Sequence, residues 1–146
     1  MKFRLIIDRQ RDEEVVATVH ERTALTDEIE RIVTGKRLDS LAVYADDEIR
    51  ILPFEETECI AVMGGKVFAI DLKGEKYIIR KRLYEVEEIL PDYFIKINKS
   101  AIANRRRIEK FTLSFSGSVN VIFKSGYEDY VSRRCFAEIK RRFLNE

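Results

Sequence analysis

Histidine is almost missing from this chain: among 146 residues there is one, His20. That disfavours histidine-built metal sites, Ser-His-Asp triads and Cys-His dyads. Cysteine is scarce too. Cys59 and Cys135 stand alone, neither with a metal-ligand partner, and read as reduced thiols of a cytoplasmic protein. No apolar run approaches the roughly 18 residues that cross a bilayer. The opening Met1-Lys2-Phe3-Arg4-Leu5-Ile6-Ile7-Asp8 is too short in apolar residues for a signal peptide. Phosphate-loop and dinucleotide fingerprints are missing, and Gly64-Gly65 alone reads as a hairpin turn. Net charge is nearly missing as well, with 27 Lys and Arg against 26 Asp and Glu.

The near-zero total hides a split. Residues 1–60 carry 15 acids and 9 bases, whereas residues 93–146 carry 12 bases and 5 acids. Such asymmetry points to an anion-binding C-terminal half. Acid pairs such as Asp46-Asp47 and Glu87-Glu88 diverge into solvent on short elements rather than forming a general acid and base. No nucleophile, base and orienter converge, so no catalytic residue, metal, cofactor or small-molecule substrate is expected.

Hydrophobic patterning predicts a mainly β, α+β protein. Residues 1–37 read as a small ββα extension. Its strands lie at Phe3–Ile7 and Glu14–His20, and its helix carries Leu25, Ile29, Ile32 and Val33 on one face and stops at Thr34-Gly35. That apolar face, beside an acidic surface, suits a homodimer contact. Residues 38–146 read as short strands separated by turns every 8–12 residues, a β-sandwich-like body. Short helices follow Leu83 and Ser132, the first stopped by Pro91 and the second capped by Ser132.

The basic segments carry the chemistry. Ile95 to Arg107 holds five bases and no acid, and its Lys, Asn, Ser and Arg side chains are those that meet phosphates and base edges. Ser132-Arg133-Arg134 opens the last helix with two cations that oppose the helix dipole, a mismatch relieved by a nearby anion such as a DNA phosphate. Lys140-Arg141-Arg142 complements the helix C-terminus and needs no ligand.

Four segments, in order, resemble the LytTR family of bacterial DNA-binding domains. Phe94-Ile95-Lys96-Ile97-Asn98-Lys99-Ser100-Ala101-Ile102-Ala103-Asn104 is similar to the family's aromatic, base, His-Arg-Ser-like triplet, apolar run and Asn. Phe123-Lys124-Ser125-Gly126 followed by Val131-Ser132-Arg133-Arg134 is similar to its glycine turn and Val-Ser-Arg-Arg segment. Ile51 to Ile60 is similar to the opening strand and acidic turn, and Leu83 to Pro91 to the short helix. The resemblance spans about residues 39–144. Asn98 stands where the family commonly has His, and Cys135 where an aromatic is frequent.

The resemblance implies an elongated β-sandwich-like fold whose loops enter successive major grooves of double-stranded DNA at paired direct repeats. It implies a sequence-specific transcription regulator, with Lys66, Lys99 and Arg134 at the three principal DNA-contacting positions. Asn98, Ser100, Asn104, Arg105, Arg106 and Arg133 complete the expected DNA-binding set, Arg105 and Arg106 on phosphates. A receiver fold of roughly 110–120 residues does not fit ahead of residue 39, so a stand-alone regulator is expected. Stand-alone members pair with membrane-protein inhibitors, which makes such a protein a further expected partner. The competing reading is a non-enzymatic interaction module whose basic face meets an acidic protein or an anionic membrane surface.

Overall fold

The computed structural model describes residues 2–34 and 38–144. Contacts divide the chain into two units, Met1–Arg37 and Leu38–Glu146.

In the first unit the helix forms and the strands do not. Helix α1 runs Ala24–Thr34. Thr23 and Thr26 cap it reciprocally. The Thr23 N–H donates to Thr26 Oγ1 at 2.9 Å, and the Thr26 N–H donates back to Thr23 Oγ1 at 3.4 Å. The glycine cap expected at Gly35 lies outside the described residues. The strands expected at Phe3–Ile7 and Glu14–His20 are a correction: residues 2–22 enter no sheet. A two-stranded ribbon is marginal in water unless a third strand or a helix covers it. Leu5-Ile6-Ile7 is apolar on both faces, so it would need cover on both. No residue of α1 is buried.

The second unit is mostly β with two short helices. Strands β1 (Ser40–Ala45), β2 (Glu48–Pro53), β3 (Thr57–Met63), β4 (Lys66–Asp71), β5 (Lys76–Ile79), β6 (Phe94–Asn98) and β7 (Ala101–Asn104) make one antiparallel sheet. Its order is β2-β1-β5-β4-β3-β7-β6. Strands β8 (Ile108–Leu113), β9 (Val119–Phe123) and β10 (Glu128–Val131) make a second sheet in the order β10-β9-β8. Helices α2 (Leu83–Ile89) and α3 (Arg133–Phe143) complete the unit. None of the described helices is long and apolar enough to cross a membrane.

The period-two alternation of strands divides the core between the faces of the large sheet. Ile60, Val67, Ala69, Ile79 and Ile102 point to one face, where they join Leu41, Val43, Phe54, Phe94 and Val86 of α2. Cys59, Ala61, Ile95, Ile97, Ala101 and Ala103 point to the other, where Val119, Val121 and Phe123 of the small sheet and Ile139 of α3 cover them. Strand β7 is buried at all four positions. The basic stretch Ile95 to Arg107 is therefore a hairpin built into the sheet, not a loop lying over it.

Candidate nucleic-acid interface

Three chain reversals meet at one end of the large sheet. Gly64 and Gly65 join β3 to β4 with φ of 56° and 77°, the left-handed pair that a tight hairpin requires and side chains resist. That turn sets Lys66 opposite Met63 at the start of β4, exposed. Beside it, the Val62 N–H donates to the Ser100 carbonyl at 2.8 Å, so the Lys99-Ser100 turn between β6 and β7 lies next to the glycine turn. The third reversal is the passage from β10 into α3. It is fastened to β6 by the Ser132 N–H, which donates to the Ile97 carbonyl at 2.9 Å. Ser132 Oγ accepts from the Cys135 N–H at 3.2 Å and caps the helix. Arg133 and Arg134 follow in its first turn, both exposed.

Asn98 holds two of these reversals together. It is 1% exposed. Its amide nitrogen donates to the Tyr130 carbonyl at 2.8 Å and toward Asp129 Oδ1 at 3.4 Å, and its oxygen accepts from the Ser100 N–H at 2.8 Å. Every polar atom of the side chain is thus committed within the protein. Asn104 is fully buried as well. Its nitrogen donates to the Thr57 carbonyl at 2.9 Å and its oxygen accepts from the Arg106 N–H at 3.0 Å. Both asparagines were expected among the contacts; both are buried and hydrogen-bonded within the protein, where they shape the turns that carry the cations. Half-burial pushes the Asp129 carboxyl above its ordinary range, against the opposing pull of the Tyr130 N–H and the Asn98 amide.

Arg105 and Arg106 lie at the opposite end. Strand β7 leads away from Lys99, and the Arg105 N–H donates to the Tyr93 carbonyl at 3.0 Å, just before β6 begins. Four residues of strand separate the two ends by about 13 Å. Aromatic rings support both side chains. The Arg105 guanidinium sits 4.7 Å from the Phe143 ring centre and that of Arg106 sits 3.9 Å from Tyr93. Arg107 donates from Nε to the Glu55 carbonyl at 2.8 Å. Of the predicted set, then, Lys66, Lys99, Ser100, Arg133 and Arg134 lie on turns at one end of the large sheet, with the Arg133 guanidinium beside Gly117 of the β8–β9 turn, and Arg105 and Arg106 lie at the other end.

Among the described residues, no carboxylate pairs with these cations. Ion pairs among the described residues engage Arg11, Arg22, Arg50, Lys96, Arg141 and Arg142. None engages Lys66, Lys99, Arg105, Arg106, Arg133 or Arg134.

Sequence reasoning missed the Asn98 bridge to Tyr130 and the aromatic supports, since partners 13 to 38 residues apart leave no local pattern. It also missed Glu58, a fully buried carboxylate that accepts from the Ser125 N–H at 3.0 Å and from the Ser125 hydroxyl. Glu58 thereby ties the β9–β10 turn to the large sheet.

Residues 47–144 match the family model described as the LytTr DNA-binding domain. Three Staphylococcus aureus proteins, from strains bovine RF122 / ET3-1, MSSA476 and MW2, are described as uncharacterized HTH-type transcriptional regulators. Each is 32% identical over 146 residues, covering 97% of both chains. A solved LytTr DNA-binding domain from Bacillus cereus superposes with a TM-score of 0.65 at 18% identity, covering 71% of this chain and 95% of that one. The name of the Staphylococcus relatives refers to a helix-turn-helix. Among the described residues of this chain no two helices are joined by a short turn, since five strands separate α2 from α3.

Proposed function

The chain belongs to the LytTR family of DNA-binding domains, a family of transcription regulators and not an enzyme class, and from that premise we propose how it reads DNA. The sheet end carrying Lys66, Lys99 and Arg134 enters the major groove and discriminates bases. Arg105 and Arg106, at the other end, hold backbone phosphates of the next segment of duplex. Paired direct repeats then bind two copies, with loops in successive major grooves.

One observation carries this reading. Five polar and cationic side chains on three separate turns share one end of the sheet, and among the described residues no carboxylate forms an ion pair with them. Arginine on the first turn of a capped helix has a fixed direction and can offer a bidentate fork to guanine O6 and N7. Lysines on tight turns make point contacts. Asn98 and Asn104 act as positioning residues within the same scheme.

The first unit supports dimerisation. Phe3, Ile7, Val16, Leu25, Ile32 and Val33 are each at least half exposed, Phe3 at 90% and Ile7 at 84%. Nine such side chains at roughly 100 Å² apiece present on the order of 900 Å², above the ~800 Å² per partner of a standard interface. Residues 1–37 carry eight acids and eight bases, so two copies meet without net repulsion. A membrane-protein inhibitor would compete for the same apolar surface.

The test is selection of bound duplexes from a random pool, followed by titration across salt. Neutralising roughly four to six phosphates predicts that log K falls with log salt at a slope of about −4 to −5. A flat salt response, or equal affinity for selected and scrambled duplexes, contradicts the reading.

A further inference from the structure

Arg80 stands outside every motif considered so far. It is the first residue beyond β5, and it is exposed. Ile79 pairs with Val67, so one further step along the ladder brings Arg80 alongside Lys66. The two share a face. Phe68 pairs with Ile78, and Lys66 and Arg80 are each two residues away on the same side of the pleat. Tyr44 of β1 pairs with Ile78 from the other flank, and the Arg80 guanidinium lies 4.0 Å from the centre of its ring.

Three features separate this arginine from an ordinary solvated one. No acid among the described residues lies within ion-pair distance of it, although Arg50 on the neighbouring hairpin is paired with Glu48 at 3.0 Å. Stacking on Tyr44 holds the plane of the guanidinium and leaves its N–H edge open, so less side-chain freedom remains to be lost on binding. It also continues a row of cations. In the sheet order β7-β3-β4-β5, Arg80 at the end of β5 and Lys66 on β4 are on neighbouring strands about 4.8 Å apart, and the Lys99 turn lies at the same end beyond β3.

Resting on the DNA-binding reading above, we propose that Arg80, shelved on Tyr44, is a sequence-neutral phosphate contact that extends the DNA interface from Lys66 across β4 onto β5. A guanidinium beside the groove-entering turn meets the sugar-phosphate strand that borders the groove. It adds affinity and orientation rather than base preference.

The experiment titrates the full chain and its Arg80→Ala, Arg80→Lys, Tyr44→Leu and Tyr44→Phe variants against a selected duplex and a scrambled one over a range of salt. Thermal melts confirm that each variant is folded. Arg80→Ala is expected to weaken both duplexes by the same factor, about 3- to 10-fold, and to make the salt slope shallower by about one unit. Arg80→Lys keeps the slope, Tyr44→Leu loses part of the affinity, and Tyr44→Phe, which keeps the ring, loses none. Wild-type affinity and slope in Arg80→Ala overturn the proposal. So does a loss confined to the selected duplex, which would make Arg80 a base reader. Absence of salt-dependent DNA binding by the wild-type chain overturns the DNA-binding reading itself, and is visible before any variant is compared.

Discussion

Asn98 and Asn104 flank the same hairpin as the lysine and arginines that were expected to bind beside them, and both are spent entirely on the protein. Side-chain type cannot separate the two uses, because an amide that suits a base edge suits a buried carbonyl equally well. What separates them is burial, which the strand β7 imposes and which local composition does not reveal. The exposure of Lys66, Lys99 and Arg134 was legible because a cation next to a glycine turn or a helix cap stays at the surface. Asp129 supplies a residue-scale prediction. Its carboxyl is held above the ordinary range by half-burial, so the folded protein binds its proton more tightly than the unfolded chain. The stability it contributes is full below pH ~4 and is lost as pH rises through the raised value. Asp129→Asn keeps an oxygen for the Tyr130 N–H and removes the ionisation. Urea unfolding is expected to show the variant gaining on the wild type as pH goes from 4 to 7; a constant difference over that range contradicts the assignment.

Elements with a turn signal at both ends were legible almost to the residue. Strand β3 ends at its glycine pair, α2 stops before Pro91, and α3 begins after Ser132. The extended segments of the first unit are as rich in β-forming residues and formed no sheet, since a strand is completed by a neighbour and their sequence names none. Strand β7 was illegible for the opposite reason: Ala101-Ile102-Ala103-Asn104 is short and weakly β-forming, and only pairing with β3 and β6 makes it a strand. Helix α3 depends on its cap more than most helices, because Arg133 and Arg134 oppose its dipole. Ser132→Ala is therefore expected to cost about 1 kcal/mol in chemical denaturation. It should also lower affinity for the selected duplex more than for a scrambled one, because Arg134 loses its fixed direction. An unchanged denaturation midpoint would show that the cap is not needed.

At the scale of the molecule, one unit has a core, and no described residue of the other is buried. Leu38–Glu146 buries two hydrophobic clusters, one on each face of its large sheet, while the helix of Met1–Arg37 buries nothing. If a second copy covers the first unit, sedimentation of the full chain gives a dimer and a chain beginning at Leu38 gives a monomer. Both running as monomers, or both as dimers, contradicts that role. The central claim is that the two basic ends of the second unit do different work. It is tested most directly by titrating Arg134→Ala and Arg105→Ala against selected and scrambled duplexes at two salt concentrations. Arg134→Ala is predicted to lose about 1–3 kcal/mol on the selected duplex and little on the scrambled one. Arg105→Ala is predicted to weaken both in proportion and to make the salt slope shallower by about one unit. Equal proportional losses on the two duplexes for Arg134→Ala would contradict the account.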